Sequence, residues 1–258
     1  MRKRTVAGNW KMNLDARGAR ALAEGVRARM GTRKDVDVAV VPPFVYAADV
    51  ARALEGSPVR CGAQDVCDRP SGAFTGEVSA AMLRDVGASF ALVGHSERRH
   101  VYGETDELAN QKVHRLLENG LDVILCVGET LDERRSQLTE KVVARQLTRG
   151  LAGVSAEAVG RVTVAYEPVW AIGTGQNATP EQASQVHQYL RGVFSGLYDE
   201  DAAEALRIQY GGSVTPANAA VLLTAPDVDG ALVGGASLKL DTFLPIIEAP
   251  RARAETQS

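Results

Sequence analysis

The chain has 258 residues, 45% of them hydrophobic and 24% charged, a composition that allows a large buried core and excludes disorder as the main state. Its 29 basic and 32 acidic residues give a net charge of -3, which excludes a general electrostatic attraction to nucleic acid or to an anionic membrane. The amino-terminal residues form no signal-peptide core and no apolar run is long enough to span a bilayer, so we expect a cytoplasmic protein without nucleic-acid or membrane partners.

Eight short apolar runs alternate with longer amphipathic segments, and each run is typical of a buried strand. The runs span residues 5–8, 37–41, 59–63, 90–93, 123–127, 162–166, 207–210 and 230–233. Strand and helix repeated eight times predict an α/β fold, a closed (β/α)8 barrel of parallel strands with outer helices. A doubly wound open sheet would give similar local patterns, and we favour the barrel.

Two of the intervening segments carry apolar residues at helical spacing, so each predicts a helix with one buried face. The two stripes are Leu22–Val26–Met30 and Val186–Leu190–Val193–Leu197. Two helix starts are also marked, because Thr130 with Glu133 and Thr179 with Gln182 have the spacing of capping boxes. Pro180 adds a first-turn proline to the second start.

No linker or change of composition divides the chain, so we expect a single domain over residues 1–258 with a disordered tail at about residues 249–258. Cys61, Cys67 and Cys126 are odd in number and lack the CxxC spacing of metal sites, which predicts buried, reduced thiols. The four histidines form no HExxH pair, and no metal is expected.

The carboxyl ends of the predicted strands carry most of the chemically capable residues. In a parallel barrel these ends face a single mouth, however distant they are in sequence. One base, one imidazole, one ammonium group and two glycine turns therefore converge there, together with three further polar residues. The residues are Asn9, Lys11, Gln64, His95, Glu129, Glu167, Gly211–Gly212–Ser213 and Gly234–Gly235.

The two glycine pairs follow the seventh and eighth strands, where this kind of barrel usually binds phosphate. Backbone N–H groups without a side chain in the way can form such an anion site. A tight turn without a ligand is the alternative for each pair. Lys11 follows Trp10 at a strand end, which favours the mouth over an ordinary surface position.

Glu167 stands where the sixth strand ends and an unusually apolar loop begins. Pro168 fixes the departure angle of this loop and Gly173 permits a positive φ, so the segment predicts a lid that closes over a ligand. The alternative is a turn whose Trp170 fills the core. His95 stands at a similar junction before a short predicted helix, where the helix dipole favours a neutral imidazole that can donate to an oxyanion. A hydrogen-bonded core histidine is the alternative there.

Five segments in this order resemble the triosephosphate isomerase family over about residues 4–248. They read GNWKMN at 8–13, GHSERR at 94–99, YEPVWAIGTG at 166–175, YGGS at 210–213 and VGGAS at 233–237. The resemblance implies a TIM barrel of glycolysis and gluconeogenesis that interconverts dihydroxyacetone phosphate and D-glyceraldehyde 3-phosphate through an enediolate, without a cofactor.

The resemblance also implies roles for individual residues. Glu167 would take the proton from carbon and His95 would polarise the carbonyl, while Lys11 and Asn9 would balance and hold the negative oxygens. The phosphate would be bound by N–H groups of Gly173, Ser213, Gly234 and Gly235. Ser96 and Glu97 would support the catalytic groups, and residues 169–174 would form the closing lid.

The turn-rich segment 71–79, with Phe74 and Thr75 near its tip, resembles the family loop that enters a neighbouring subunit beside Asn9 and Lys11. A twofold homodimer is therefore expected. The alternative is a surface loop with a tucked phenylalanine.

Two other functions fit parts of the pattern. A sugar-phosphate aldolase would need a Schiff-base lysine at the mouth, and Lys11 is the candidate. A non-catalytic phosphate-binding barrel would keep the glycine turns, but would not explain why Glu167, His95 and Lys11 share one mouth.

Overall fold

A computed structural model of the chain describes residues 2–173 and 177–249. Its eight parallel strands close into a barrel in chain order, with β1 paired to both β2 and β8. The strands are β1 Thr5–Asn9, β2 Asp37–Val41, β3 Arg60–Ala63, β4 Phe90–Val93, β5 Asp122–Val127, β6 Val162–Tyr166, β7 Ile208–Tyr210 and β8 Gly230–Val233. The closed barrel is confirmed, the open sheet is excluded, and every predicted strand boundary lies within one residue of the observed one.

Helices surround this barrel on the outside, and in the described part of the chain there are twelve α-helices and two short 3-10 helices. The α-helices are α1 Ala16–Met30, α2 Phe44–Ala53, α3 Ala80–Asp85, α4 Ser96–Tyr102, α5 Asp106–Glu118, α6 Leu131–Arg135, α7 Thr139–Gly150, α8 Ala156–Val159, α9 Pro180–Leu197, α10 Glu200–Ala205, α11 Ala219–Leu222 and α12 Leu240–Glu248. The 3-10 helices are Val169–Ala171 and Gly235–Leu238. Across the chain described by the coordinates, no helix has the length and apolar character needed to cross a membrane.

The strands separate two hydrophobic cores because side chains alternate between the two faces of a strand. The larger core lies between the strands and the helices. The smaller core fills the barrel itself and consists of Ala7, Ala39, Val41, Phe90, Leu92, Ile124, Cys126, Ala165 and Leu232. Several of these inward side chains are small, which leaves room near the barrel axis.

Local sequence signals are mostly confirmed. Both capping boxes form, at the starts of α6 and α9, and Pro180 occupies the first turn of α9. The stripe predicted on α1 is buried. On α9 the predicted stripe is wrong at its end, since Leu197 is 39% exposed and Phe194 is buried instead. The buried face follows the true helical period of 3.6 residues, from Leu190 to Phe194, rather than the heptad continuation to Leu197.

All three cysteines are buried and unpaired with one another, as predicted. Two predicted segments extend beyond the described residues. Thr174, at the end of the predicted lid, and residues 250–258, most of the predicted tail, lie outside the described ranges. Ala249, where that tail was predicted to begin, is buried.

Candidate active site

A cavity of about 240 Å³ opens at the carboxyl ends of the strands. Its lining brings together every residue predicted to contact a substrate, from both ends of the sequence. Those residues are Asn9, Lys11, His95, Glu167, Gly173, Ser213, Gly234 and Gly235. Ile172 also lines it, from the segment predicted to be the lid. Val214 and Leu232 line it too and were not predicted as site residues, because single apolar residues in loops and strands carry no distinctive sequence signal.

Glu167 follows β6 and is buried at the base of this cavity, with 2% of its surface exposed. Its Oε1 lies 3.0 Å from His95 Nε2, and its Oε2 accepts a hydrogen bond of 2.8 Å from the Ser96 backbone N–H. Burial raises the pKa of the Glu167 carboxyl, but the His95 imidazole and the Ser96 N–H outweigh burial, so this pKa lies below its ordinary value. The carboxylate is therefore ionised and available as a base.

His95 caps the amino terminus of α4, the position predicted from its sequence context. Its Nδ1 accepts a hydrogen bond of 3.2 Å from the Glu97 backbone N–H, so Nδ1 cannot carry a proton and Nε2 is the donor towards Glu167. Burial lowers the pKa of the imidazole, yet the adjacent Glu167 carboxylate outweighs burial and raises it. Once that carboxylate moves away, burial and the Glu97 N–H both favour the neutral ring.

Lys11 adopts a left-handed backbone conformation with a φ of 51°, which is unfavourable for a residue with a side chain. Hydrogen bonds on both sides of the residue hold it there. Its N–H donates to Asn9 Oδ1 at 3.0 Å, and its carbonyl accepts from Gln64 Nε2 at 2.7 Å. Its ammonium group then reaches Glu97 Oε1 at 2.6 Å. A strained turn of this kind is typical of a functional position.

Ser96 and Glu97, predicted to be supporting residues, do not line the cavity. They act through backbone and side-chain contacts, since Ser96 holds Glu167 and Glu97 contacts both Lys11 and His95. One helix start therefore positions the base, the imidazole and the ammonium group together.

The glycine turns also line the cavity. Gly234 and Gly235 lie at the amino end of the 3-10 helix Gly235–Leu238. Backbone N–H groups at a helix amino end are not used within the helix, so these two are available to the cavity. Ser213 N–H donates to the carbonyl of Ala171 in the predicted lid at 3.2 Å. The lid and the predicted phosphate site are thus joined directly.

Gly211 has a packing role that the sequence did not indicate. A Cβ atom at this position would lie 2.7 Å from Glu167 Cγ and 3.1 Å from the Tyr166 carbonyl oxygen. The absence of a side chain at Gly211 therefore leaves space for the Glu167 carboxylate, in addition to any anion binding by the turn.

We expect Gly211→Ala to lower kcat on the order of a hundredfold, because the methyl group displaces Glu167 and misplacement by about 1 Å costs roughly that factor. The matched control is Gly192→Ala on α9, where a Cβ meets nothing within 4 Å. We expect this control to keep full activity and to raise the free energy of unfolding by about 0.5–1 kcal/mol. Steady-state kinetics and thermal unfolding measure both, and normal kcat in folded Gly211→Ala would contradict the packing role.

Glu129 lies at the mouth as predicted but faces the base of the lid rather than the cavity. It is fully buried and accepts hydrogen bonds from Tyr166 Oη at 3.1 Å and Trp170 Nε1 at 2.9 Å. Arg134 bonds Glu129 at 3.2 Å, and its guanidinium carbon stands 4.4 Å from the centre of the Trp170 ring. Trp170 is thus anchored at the lid base by polar contacts, and no single sequence motif links these four residues.

The chain that forms this cavity is similar to known proteins over nearly its whole length. A sequence model of the family described as Triosephosphate isomerase matches residues 4–250. The protein named Triosephosphate isomerase in Carboxydothermus hydrogenoformans is 51% identical over 251 residues, covering 96% of this chain and 99% of that protein. Those in Treponema denticola and Rhodopirellula baltica are 50% and 48% identical, covering 95% and 96% of this chain and 98% of each relative.

Proposed function

The chain belongs to the triosephosphate isomerase family, and from this premise we propose how its residues act. It is an isomerase that interconverts dihydroxyacetone phosphate and D-glyceraldehyde 3-phosphate. The observation that supports the residue roles best is the 3.0 Å contact between Glu167 Oε1 and His95 Nε2 in the cavity that also contains the glycine turns.

Glu167 is the base that removes a proton from the carbon next to the substrate carbonyl and returns it one carbon over. Its buried carboxylate has a lowered pKa, so it is ionised before substrate arrives. Both oxygens already accept hydrogen bonds, from His95 and from Ser96. One oxygen must therefore leave its partner to reach the C–H bond, and the substrate displaces the carboxylate from His95.

His95 donates its Nε2–H to the carbonyl oxygen, which becomes negative as the enediolate forms. The Glu97 N–H at Nδ1 fixes the tautomer that makes Nε2 the donor. A fixed donor aimed at a developing oxyanion typically lowers the barrier by about 3–4 kcal/mol. A neutral imidazole suits this task, because it donates without first losing a proton to Glu167.

Lys11, Asn9 and the glycine turns hold the charged parts of the substrate. Lys11 Nζ is on the cavity wall beside Gly234, where a built Cβ would lie 3.8 Å from it, so it can neutralise phosphate and enediolate charge. Gly173, Ser213, Gly234 and Gly235 supply backbone N–H groups around the phosphate. Lid closure frees the Ser213 N–H from Ala171 for this purpose and excludes water from the intermediate.

The contact of Lys11 with Glu97 argues against the aldolase alternative. A Schiff base needs an amine that is free to attack the substrate carbonyl, whereas Lys11 Nζ is held by Glu97 Oε1 at 2.6 Å. Borohydride reduction with dihydroxyacetone phosphate is expected to leave no covalent adduct on Lys11.

The direct test of the reaction is incubation of the protein with dihydroxyacetone phosphate and a chelator in heavy water. Deuterium enters the product at the carbon that exchanges its proton with the base, while the aldehyde isomer accumulates. Isomer formation without any exchange with solvent, together with unchanged rates in Glu167 variants, would remove the base role of Glu167.

The first four strand–helix units present a set of large exposed hydrophobic residues near the active-site end, and we propose that this surface pairs two copies of the chain. The residues are Met12, Val45, Phe74, Met82, Val101 and Tyr102, exposed from 44% to 92%. Phe74 stands near the tip of segment 71–79, whose residues 71–77 are all exposed. Large exposed apolar side chains on neighbouring units of a barrel are typical of an interface. The tucked-phenylalanine alternative is not supported, because Phe74 is 44% exposed.

We expect Phe74→Asp to convert a dimer into monomers, since a charge would be buried at the interface without a partner. The matched control is Val221→Asp on α11, a residue that is 61% exposed on the far side of the barrel. Multi-angle light scattering of dilute protein measures the mass of each. A wild-type chain that is monomeric, or a Phe74→Asp variant that remains dimeric, contradicts the proposed interface.

We also propose that the protein works in the cytoplasm. Triose phosphates carry a charged phosphate and do not cross membranes unaided, so the enzyme acts where they are made. The buried thiols of Cys61, Cys67 and Cys126 are compatible with a reducing compartment.

A further inference from the structure

A second cavity, of about 440 Å³, lies at the opposite, amino-terminal mouth of the barrel. Among residues 2–173 and 177–249, none lines both this cavity and the active site. Its inner part is bounded by inward side chains of the strands, including Ala7, Ala39 and Phe90. Ala7 and Ala39 are small, which leaves room for the inner part of the cavity between the strands.

Gln209 lies on the wall of this second cavity, in the middle of β7. Its neighbours Ile208 and Tyr210 belong to the outer core, so the alternation of the strand turns Gln209 into the barrel. The side chain is fully buried, and neither its Nε2 nor its Oε1 has a hydrogen-bond partner among the described residues. A buried amide without partners is destabilising, so its retention indicates a polar group that both donates and accepts.

Charged residues surround the entrance, at or next to the first residues of the strands. Asp37 contacts Lys3 at 2.5 Å and Arg207 at 2.8 Å. Asp122 contacts Arg60 at 2.6 Å and Arg161 at 3.1 Å. Four cations thus share two carboxylates, and the entrance has an excess of positive charge.

The arginines retain donors beyond these ion pairs. Arg207 uses only its Nη1 within the described residues, which leaves its other N–H groups available. Arg161 uses Nε and Nη1, and Arg60 uses Nε and Nη2. Planar guanidinium groups with a free edge match carboxylate and phosphate oxygens.

We propose that the amino-terminal mouth binds a small, hydroxyl-bearing oxyanion. Its carboxylate or phosphate group contacts the unused Nε–Nη2 edge of Arg207 at the entrance, together with Nη1 of Arg60 and Nη2 of Arg161. Its hydroxyl group enters the barrel and exchanges hydrogen bonds with the Gln209 amide, which can donate and accept at once. This site is separate from catalysis, since the barrel wall and the inner core lie between the two cavities.

Titration calorimetry tests the proposal with two probes, citrate as the hydroxycarboxylate and glycerol 3-phosphate as the phosphate ester. The protein is the intact wild-type chain saturated with phosphoglycolate, so that the catalytic cavity is occupied. Two variants remove different parts of the site: Gln209→Leu deletes the amide at nearly constant volume, and Arg207→Gln deletes one entrance charge. The matched control is Arg149→Gln, whose pairing with Glu107 is exposed and distant from the barrel mouth.

We expect one probe to bind wild type at one site per chain, and to bind Gln209→Leu and Arg207→Gln at least tenfold more weakly, with Arg149→Gln unchanged. Binding of citrate alone or of glycerol 3-phosphate alone assigns the anion. The kcat of Gln209→Leu should stay at the wild-type value, because Gln209 contacts no catalytic residue. Absence of binding by both probes in wild type, or equal binding by Gln209→Leu, overturns the proposal. If Gln209→Leu does not fold, the Arg207→Gln titration decides.

Discussion

Glu167→Gln is expected to reduce kcat on the order of a thousandfold or more, because the amide retains the shape of the side chain but cannot accept a proton from carbon. The substituted side chain can still accept from the Ser96 N–H that now holds Oε2. Binding of the phosphate group should change little, since the substitution removes none of the backbone N–H groups of the glycine turns that line the cavity. The loss should therefore appear in kcat and in deuterium uptake, with the phosphoglycolate inhibition constant nearly constant.

The pH dependence of the wild-type enzyme provides a second measurement of the same residue. The pKa of Glu167 lies below its ordinary value because His95 and Ser96 stabilise the carboxylate more than burial disfavours it. A group with a lowered pKa keeps its basic form as the pH falls through the usual carboxyl range. We therefore expect kcat/KM to remain flat across that range and to fall only at lower pH.

Glu107→Gln is the matched control for this substitution. Glu107 is an exposed carboxylate on α5 that pairs with Arg149, far from the cavity. Its variant should be kinetically indistinguishable from wild type. A Glu167→Gln enzyme with a normal rate of isotope exchange would show that another group takes the proton.

His95→Gln is expected to reduce kcat on the order of a hundredfold to a thousandfold, the usual loss when one fixed oxyanion donor is removed. Glutamine can donate a hydrogen bond, but the Glu97 N–H no longer fixes its orientation as it fixes the imidazole at Nδ1. Proton exchange at carbon should slow in parallel with turnover, because both steps pass through the same enediolate.

The control here is His100→Gln, an exposed histidine one turn further along α4. We expect His100→Gln to retain wild-type kcat, because the loss in His95→Gln comes from the imidazole that lines the cavity. A His95→Gln variant that loses phosphoglycolate affinity but retains kcat would place His95 in binding rather than in polarisation of the carbonyl.

Much of this fold was predictable because strand ends are marked by chemistry. Apolar runs bounded by glycine, proline or polar residues gave all eight strands, and closure of the barrel then placed residues as distant as Lys11 and Gly234 at one mouth. The prediction that Leu197 is buried on α9 is wrong because apolar residues three or four positions apart can both continue one helical face. Leu197 lies four residues after Val193, but the structure buries Phe194, four residues after Leu190.

The features that sequence reasoning missed depend on contacts across the chain. The sequence predicts that Gly211 exposes backbone N–H groups to an anion. In the structure, the atom that a Cβ at Gly211 would approach most closely is Glu167 Cγ. Arg134 and Glu129 meet Trp170 through the packing of α6 against the lid base, which no local pattern encodes. Gln209 appeared only as part of a strand, since its lack of partners is a property of the assembled barrel.

The pairing of β1 with β8 has a consequence for synthesis of the chain. Lys11 emerges from the ribosome long before Gly234, its neighbour across the closed seam. Until β8 arrives, β1 exposes an unpaired edge and the anion end of the active site has only one wall. A nascent chain that has not yet released β8 therefore lacks a complete active site and is open to aberrant association, and both conditions end when β8 docks against β1.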